Sequence, residues 1–80
     1  MAILNITYNG LSADYPLELD TRVSDQDIRR IAVEVVRAGN VPGLAITHLA
    51  ESAFDGFVVD RLQGGQRIYL RPKVPFGAAR

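Results

Sequence analysis

Few residues in this chain are of a type that does chemistry, and their spacing narrows the options further. His48 is the only histidine and there is no cysteine, so neither a thiolate nor a histidine-rich metal site can be assembled. A nucleophile with its base and orienting acid needs partners that the spacing around His48 does not supply. His48 therefore reads as a strand-edge or loop histidine. Asp14, Asp20, Asp25 and Asp27 form the densest run of carboxylates, but they lack the alternating spacing of a calcium loop. Gly64-Gly65 does not lead into a helix signal, so it reads as a hairpin turn rather than a phosphate loop. These readings disfavour an enzyme and predict no cofactor and no metal.

Two further groups remain. Arg61, Arg67, Arg71 and Lys73, with Tyr69 among them, have the composition of a basic strip carrying a stacking aromatic, as single-stranded nucleic acids require. The nine basic and nine acidic residues cancel, however, so no overall field attracts a polyanion. Nucleic acid is the weaker expectation, and a solvated sheet edge the stronger one. The other group is the closing segment, "RPKVPFGAAR". Pro72 and Pro75 oppose both helix and ladder pairing, so "RPKVPFG" is expected to be extended and exposed, near polyproline II.

What positions these residues follows from the rest of the chain. Eighty residues, 48% of them apolar and 22% charged, make one small soluble domain. The start of the sequence, "MAILNITYNG", lacks a basic segment followed by an apolar run, and no stretch reaches the roughly 20 apolar residues of a membrane span. A cytoplasmic protein with no membrane partner is expected.

"AILNITY" alternates, with Leu4, Ile6 and Tyr8 on one face, and Asn9-Gly10 is a two-residue hairpin signal. "DYPLELD" alternates again, with Tyr15, Leu17 and Leu19 on one side, and Pro16 assigns this second strand to a sheet edge. A helix is predicted from about 24 to 38. Ser24 is its N-cap, with Asp27 three residues on and Val23 and Ile28 spaced as a hydrophobic staple. Ile28, Ile31, Ala32, Val35 and Val36 supply its core face, with Arg29, Arg30, Glu34 and Arg37 on the wet side. Gly39 and Pro42 end it. "LAITHL" fits either a short strand or a helical turn running through "AESAF". "GFVVDRL" and "QRIYLR" are strands joined by "QGG", with Ile68 and Leu70 opposite Arg67, Tyr69 and Arg71.

This order resembles the ubiquitin-like β-grasp, an α+β fold of ββαββ order with a mixed sheet and one helix packed across it. The resemblance lies in the first strand at "MAILNITY", the Ser-capped helix entry "LELDTRVSDQDI", the exit "AGNVPGL" and the final strand feeding "IYLRPKVPFG". It covers about residues 1–77, with a domain at 1–71 and a tail at 72–80. It implies that the last strand lies beside the first.

It also implies a function. In ubiquitin-like modifiers a C-terminal glycine carboxylate is adenylated by an activating enzyme, passed to a thiol of a conjugating enzyme and joined to a target protein. Gly77 matches that position, and Ala78-Ala79-Arg80 then matches the short extension that a processing peptidase removes. Arg71, Pro72, Lys73, Val74 and Pro75 match the tail that partners grip. The family's usual Gly-Gly pair is replaced by Phe76-Gly77, which suits a partner shaped for an aromatic, as in bacterial ubiquitin-like modifiers with divergent tails. A sulfur carrier and a non-conjugated β-grasp adaptor are the alternatives.

Overall fold

The computed structural model describes residues 2–18 and 23–73. Strand β1 spans Ala2–Tyr8, β2 Leu11–Leu17, helix α1 Asp25–Arg37, β3 Val58–Leu62 and β4 Arg67–Arg71, with a single 3-10 turn at Gln63–Gly65 between the last two. The strands form one sheet in the order β2-β1-β4-β3. Its two outer pairs are antiparallel and the central β1–β4 pair is parallel, so the sheet is mixed. With α1 packed across one face, this is the ββαββ arrangement of a β-grasp.

Local chemistry accounts for the first hairpin. Asn9 and Gly10 have φ of 52° and 79°, the paired left-handed conformation of a two-residue turn whose twist matches the strands. Such a turn restarts the ladder at once, with Tyr8 opposite Leu11, so β2 begins three residues earlier than "DYPLELD" and ends at Leu17. Leu19 and Asp20 lie outside the described residues. Counting alternate bonded pairs from Tyr8–Leu11 puts Pro16, opposite Ile3, at a non-bonded position. Its missing N–H faces outward from an edge strand, where no ladder bond is lost.

The helix keeps its predicted ends. The Ser24 hydroxyl accepts from the Asp27 N–H at 3.1 Å, satisfying one of the first-turn donors. At the other end Gly39 (φ 76°) and Asn40 donate to the carbonyls of Val36 and Val35 at 3.1 and 3.0 Å, a Schellman closure that needs the left-handed residue. The buried face differs from the expected one in one respect. Ile28, Ala32, Val35 and Val36 are buried as predicted, while Ile31 is only half-buried and Val33 is 3% exposed. The cause is a second covering layer. Val33 is part of the buried core that also holds Val41, Leu44, Leu49 and Phe54 of the long connection from α1 to β3, while Ile31 packs at the margin of that core.

That connection, residues 38–57, is neither the strand nor the helical turn that "LAITHL" and "AESAF" allowed. It is a series of turns held by short backbone bonds such as Leu44 to Val41 and Asp55 to Ser52. Its apolar residues Val41, Leu44, Leu49 and Phe54 are buried at spacings that match no helix or strand period. Phe54, fully buried, meets Tyr8 and Phe57 edge-on at 5.5 and 5.0 Å between ring centroids. One core therefore joins the helix, the inner sheet face (Leu4, Ile6, Ile68, Leu70) and the connection.

Truncations separate these positions. Ile28→Ala, fully buried, should lose about 2–5 kcal/mol in denaturant unfolding. Ile31→Ala should cost clearly less, about 1–2 kcal/mol, because it uncovers a half-exposed site. Equal losses at the two sites would place the helix face incorrectly.

Candidate functional site

Among the described residues, two features stand open to a partner: the sheet face turned away from α1, and Pro72 and Lys73 beyond β4. Pleat alternation decides the face. With Ile68 and Leu70 turned to the core, Arg67, Tyr69 and Arg71 project from the other side of β4. The register sets Asn5 and Asp60 on either side of Tyr69, and Ile3 and Leu62 on either side of Arg67. Beyond Asn5 lies Asp14 of β2.

The Tyr69 ring lies between two guanidiniums, with the Arg67 and Arg71 carbons 5.8 and 6.0 Å from its centroid. Arg67 also donates from Nε to the Tyr69 hydroxyl at 3.1 Å, and this bond holds the Arg67 pKa above its ordinary value. Arg71 pairs with the Asp60 carboxylate across the β3–β4 ladder. On the β1–β2 side, Asn5 Nδ2 donates to Asp14 Oδ1 at 2.8 Å and the Ser12 hydroxyl donates to Asn5 Oδ1 at 3.1 Å. The centre of the face is thus an aromatic ring between fixed cations, and its β2 flank is a hydrogen-bonded polar ladder. Tyrosine and arginine are the residue types most enriched at the energetic centres of protein interfaces.

The basic strip of the sequence does not stay together. Arg61 stands opposite Ile68, on the helix side of the sheet, where one Nη2 donates at 2.8 Å to both the Val23 carbonyl and Asp25 Oδ1. It ties β3 to the helix entry and is remote from the face that carries Arg67 and Arg71. Arg61 is therefore separated from Arg67 and Arg71, which stay together on the outer face of β4.

Arg29 and Arg37, expected on the wet side of α1, instead reach the long connection. Each uses Nε and Nη2 on one carbonyl, Arg29 on Phe57 at 3.1 and 2.9 Å and Arg37 on Leu49 at 3.0 and 2.6 Å. A groove of about 240 Å³ lies between α1 and the connection, with these two arginines in its lining. Because both guanidiniums are already engaged by carbonyls, they hold the groove together and are committed to it. Arg30, by contrast, is exposed and stands 3.7 Å from Asp27 one turn away.

The tail begins where β4 ends. Arg71, Pro72 and Lys73 are all exposed, in keeping with an extended segment leaving the body. Val74, Pro75, Phe76 and Gly77 lie outside the described residues. His48 is exposed on the turn at 47–48, and among the described residues no three metal-ligating side chains come together. No helix there is long and apolar enough to cross a membrane.

Sequence reasoning missed Phe54 and the carbonyl-binding roles of Arg29, Arg37 and Arg61. It missed them because none of these contacts follows a local period. Comparison of the chain with protein-family models, with curated proteins and with solved structures finds no match in any of the three.

The arginine assignments separate by fork geometry. Arg29→Lys and Arg37→Lys keep the charge but lose the paired donors, and each should cost about 1–2 kcal/mol in chemical denaturation. Arg30→Lys should stay within about 0.5 kcal/mol, as exposed pairs do. Indistinguishable stabilities for all three would remove the structural role given to Arg29 and Arg37.

Proposed function

We propose that the chain is a ubiquitin-like protein modifier acting in the cytoplasm: its tail is trimmed after Gly77, activated by an adenylating enzyme, passed to a conjugating enzyme and joined to target proteins. The observation that carries this reading is the exit of β4. That strand lies at the centre of the sheet beside β1, and beyond Arg71 the chain continues through exposed Pro72 and Lys73. Gly77 follows four residues after Lys73 in the sequence, and Pro72 and Pro75 before it are residues that oppose helix and ladder pairing. Glycine suits such a terminus because, lacking a Cβ, it lets a carboxylate enter a narrow active site. Phe76 beside it is the specificity handle for a dedicated partner.

The uncovered face supplies the docking surface in this reading. Arg67, Tyr69 and Arg71 run along β4 up to Pro72 and Lys73, so a partner that grips those two residues meets the face as well. The same face supports a second reading, a non-conjugated adaptor that binds through the sheet alone, with the tail as a linker.

Full-length protein incubated with ATP and an extract of its source cells should lose Ala78–Arg80 and acquire a Gly77-linked adduct, both read by mass spectrometry. Neither product appearing while an adenylating enzyme is active in the extract would refute the modifier. Deletion of residues 76–80 separates the readings. A modifier loses all covalent adducts, whereas an adaptor keeps its partners in pull-down.

A further inference from the structure

The tip of the first hairpin carries a reactive pair that the rest of the chain avoids. The three asparagines are Asn5, Asn9 and Asn40, followed by Ile6, Gly10 and Val41. An asparagine deamidates when the backbone nitrogen of the next residue attacks its side-chain carboxamide. A β-branched neighbour crowds that nitrogen, whereas a glycine, having no Cβ, leaves it open. Asn5 is further held by its bonds to Asp14 and Ser12, while Asn9 and Gly10 are both exposed. Local sequence thus makes Asn9 the vulnerable site.

The turn opposes the reaction. With φ of 52° and 79°, Asn9 and Gly10 hold a paired left-handed turn. In that turn type ψ of the first central residue is about +30°. Ring closure requires the Gly10 nitrogen to eclipse Cβ of Asn9 across the Cα–C bond, which an L-residue reaches only at ψ of about −120°. In the left-handed turn the nitrogen lies nearly opposite Cβ, out of reach of the carboxamide carbon. The pairs Tyr8–Leu11 and Thr7–Ser12 clamp the turn in that state. β2 is an edge strand paired with β1 alone among the described strands, so the tip can open without disturbing β1–β4.

We propose that Asn9 is a spontaneous modification site gated by the hairpin: stable while β1 and β2 are paired, and converted to isoaspartate when the tip opens. This does not depend on the modifier reading. In the opened chain a base takes the Gly10 amide proton, and the nitrogen attacks Cγ of Asn9. The new C–N bond forms, the bond from Cγ to the side-chain nitrogen breaks, and ammonia leaves with a proton from solvent. Water then opens the resulting succinimide at either carbonyl. Cleavage between nitrogen and Cγ yields aspartate, and cleavage between nitrogen and the backbone carbonyl carbon yields isoaspartate. Aspartate keeps the two-residue turn, because Asp-Gly suits it as Asn-Gly does. Isoaspartate adds one carbon to the backbone and does not, so Tyr8–Leu11 and Thr7–Ser12 are the first pairs lost. The site therefore records that the hairpin has been open.

Gating and consequence are tested separately. Full-length folded protein, the same protein in denaturant above its unfolding midpoint, and a capped peptide of residues 6–13 are held at pH 8. Deamidation is read by mass spectrometry, with isoaspartate located by peptide mapping. The folded chain should lose the Asn9 amide at least fivefold more slowly than the peptide, because reaction waits for local opening. A smaller difference would overturn the gating. Deamidation of Asn5 or Asn40 ahead of Asn9 in the denatured chain would overturn the site.

The isoaspartate fraction is then purified, refolded and compared with Asn9→Asp, which carries the same added charge on an unaltered backbone. The isoaspartate chain should unfold at lower denaturant than Asn9→Asp, with faster hydrogen exchange along β1 and β2, or fail to refold. Equal midpoints and equal exchange would overturn the loss of pairing.

Discussion

The parallel pairing of β1 with β4 is the contact on which the rest of the molecule depends. Leu4 faces Ile68 and Ile6 faces Leu70, and all four side chains are at most 2% exposed. The two strands are separated by nearly the whole domain, so their pairing closes the longest loop in the fold. Closure entropy rises only slowly with loop length, and burial of these four aliphatic residues with α1 outweighs it. Once β4 is held beside β1, its pleat decides which residues are hidden. Ile68 and Leu70 go inward, and Arg67, Tyr69 and Arg71 outward. The direction of β4 also decides where the chain leaves the body, at exposed Pro72 and Lys73.

The long connection is the second constraint, and it is solved with guanidiniums. A segment of 20 residues, 38–57, with no helix or strand of its own must find partners for its carbonyls near a buried surface. Arg29 and Arg37, two turns apart on α1, provide them at Phe57 and Leu49. Phe54 then fills the space beneath, against Tyr8 and Phe57. This is why two charges that look solvated in the sequence are half-buried.

The two sheet edges show how the fold avoids pairing with its own copies. β2 carries Pro16 with its missing N–H facing outward, and β3 is five residues long with charged Asp60 and Arg61 at its centre. Both edges are poor templates for strand addition. The broad polar-aromatic face and the tail stem remain as the surfaces open to a partner.

Taken alone, the sequence determined several features that depend on neighbours in the chain. Asn9-Gly10 sets the first turn because both residues accept positive φ. Ser24 and Gly39 set the ends of α1 through bonds that span no more than five residues. The alternation of "RIYLR" divides β4 into an inner and an outer face before any partner is known. The ββαββ order of the β-grasp follows from these signals. Tertiary structure decided what depends on the path of the chain. It assigned residues 38–57 to turns around Phe54, moved Arg61 to the helix side away from Arg67 and Arg71, and turned Arg29 and Arg37 from solvent to backbone carbonyls 28 and 12 residues away. Those contacts have no period to read. A guanidinium finds its carbonyl only when packing brings the two together, and hydrophobic spacing in a turn-rich segment records burial without recording shape.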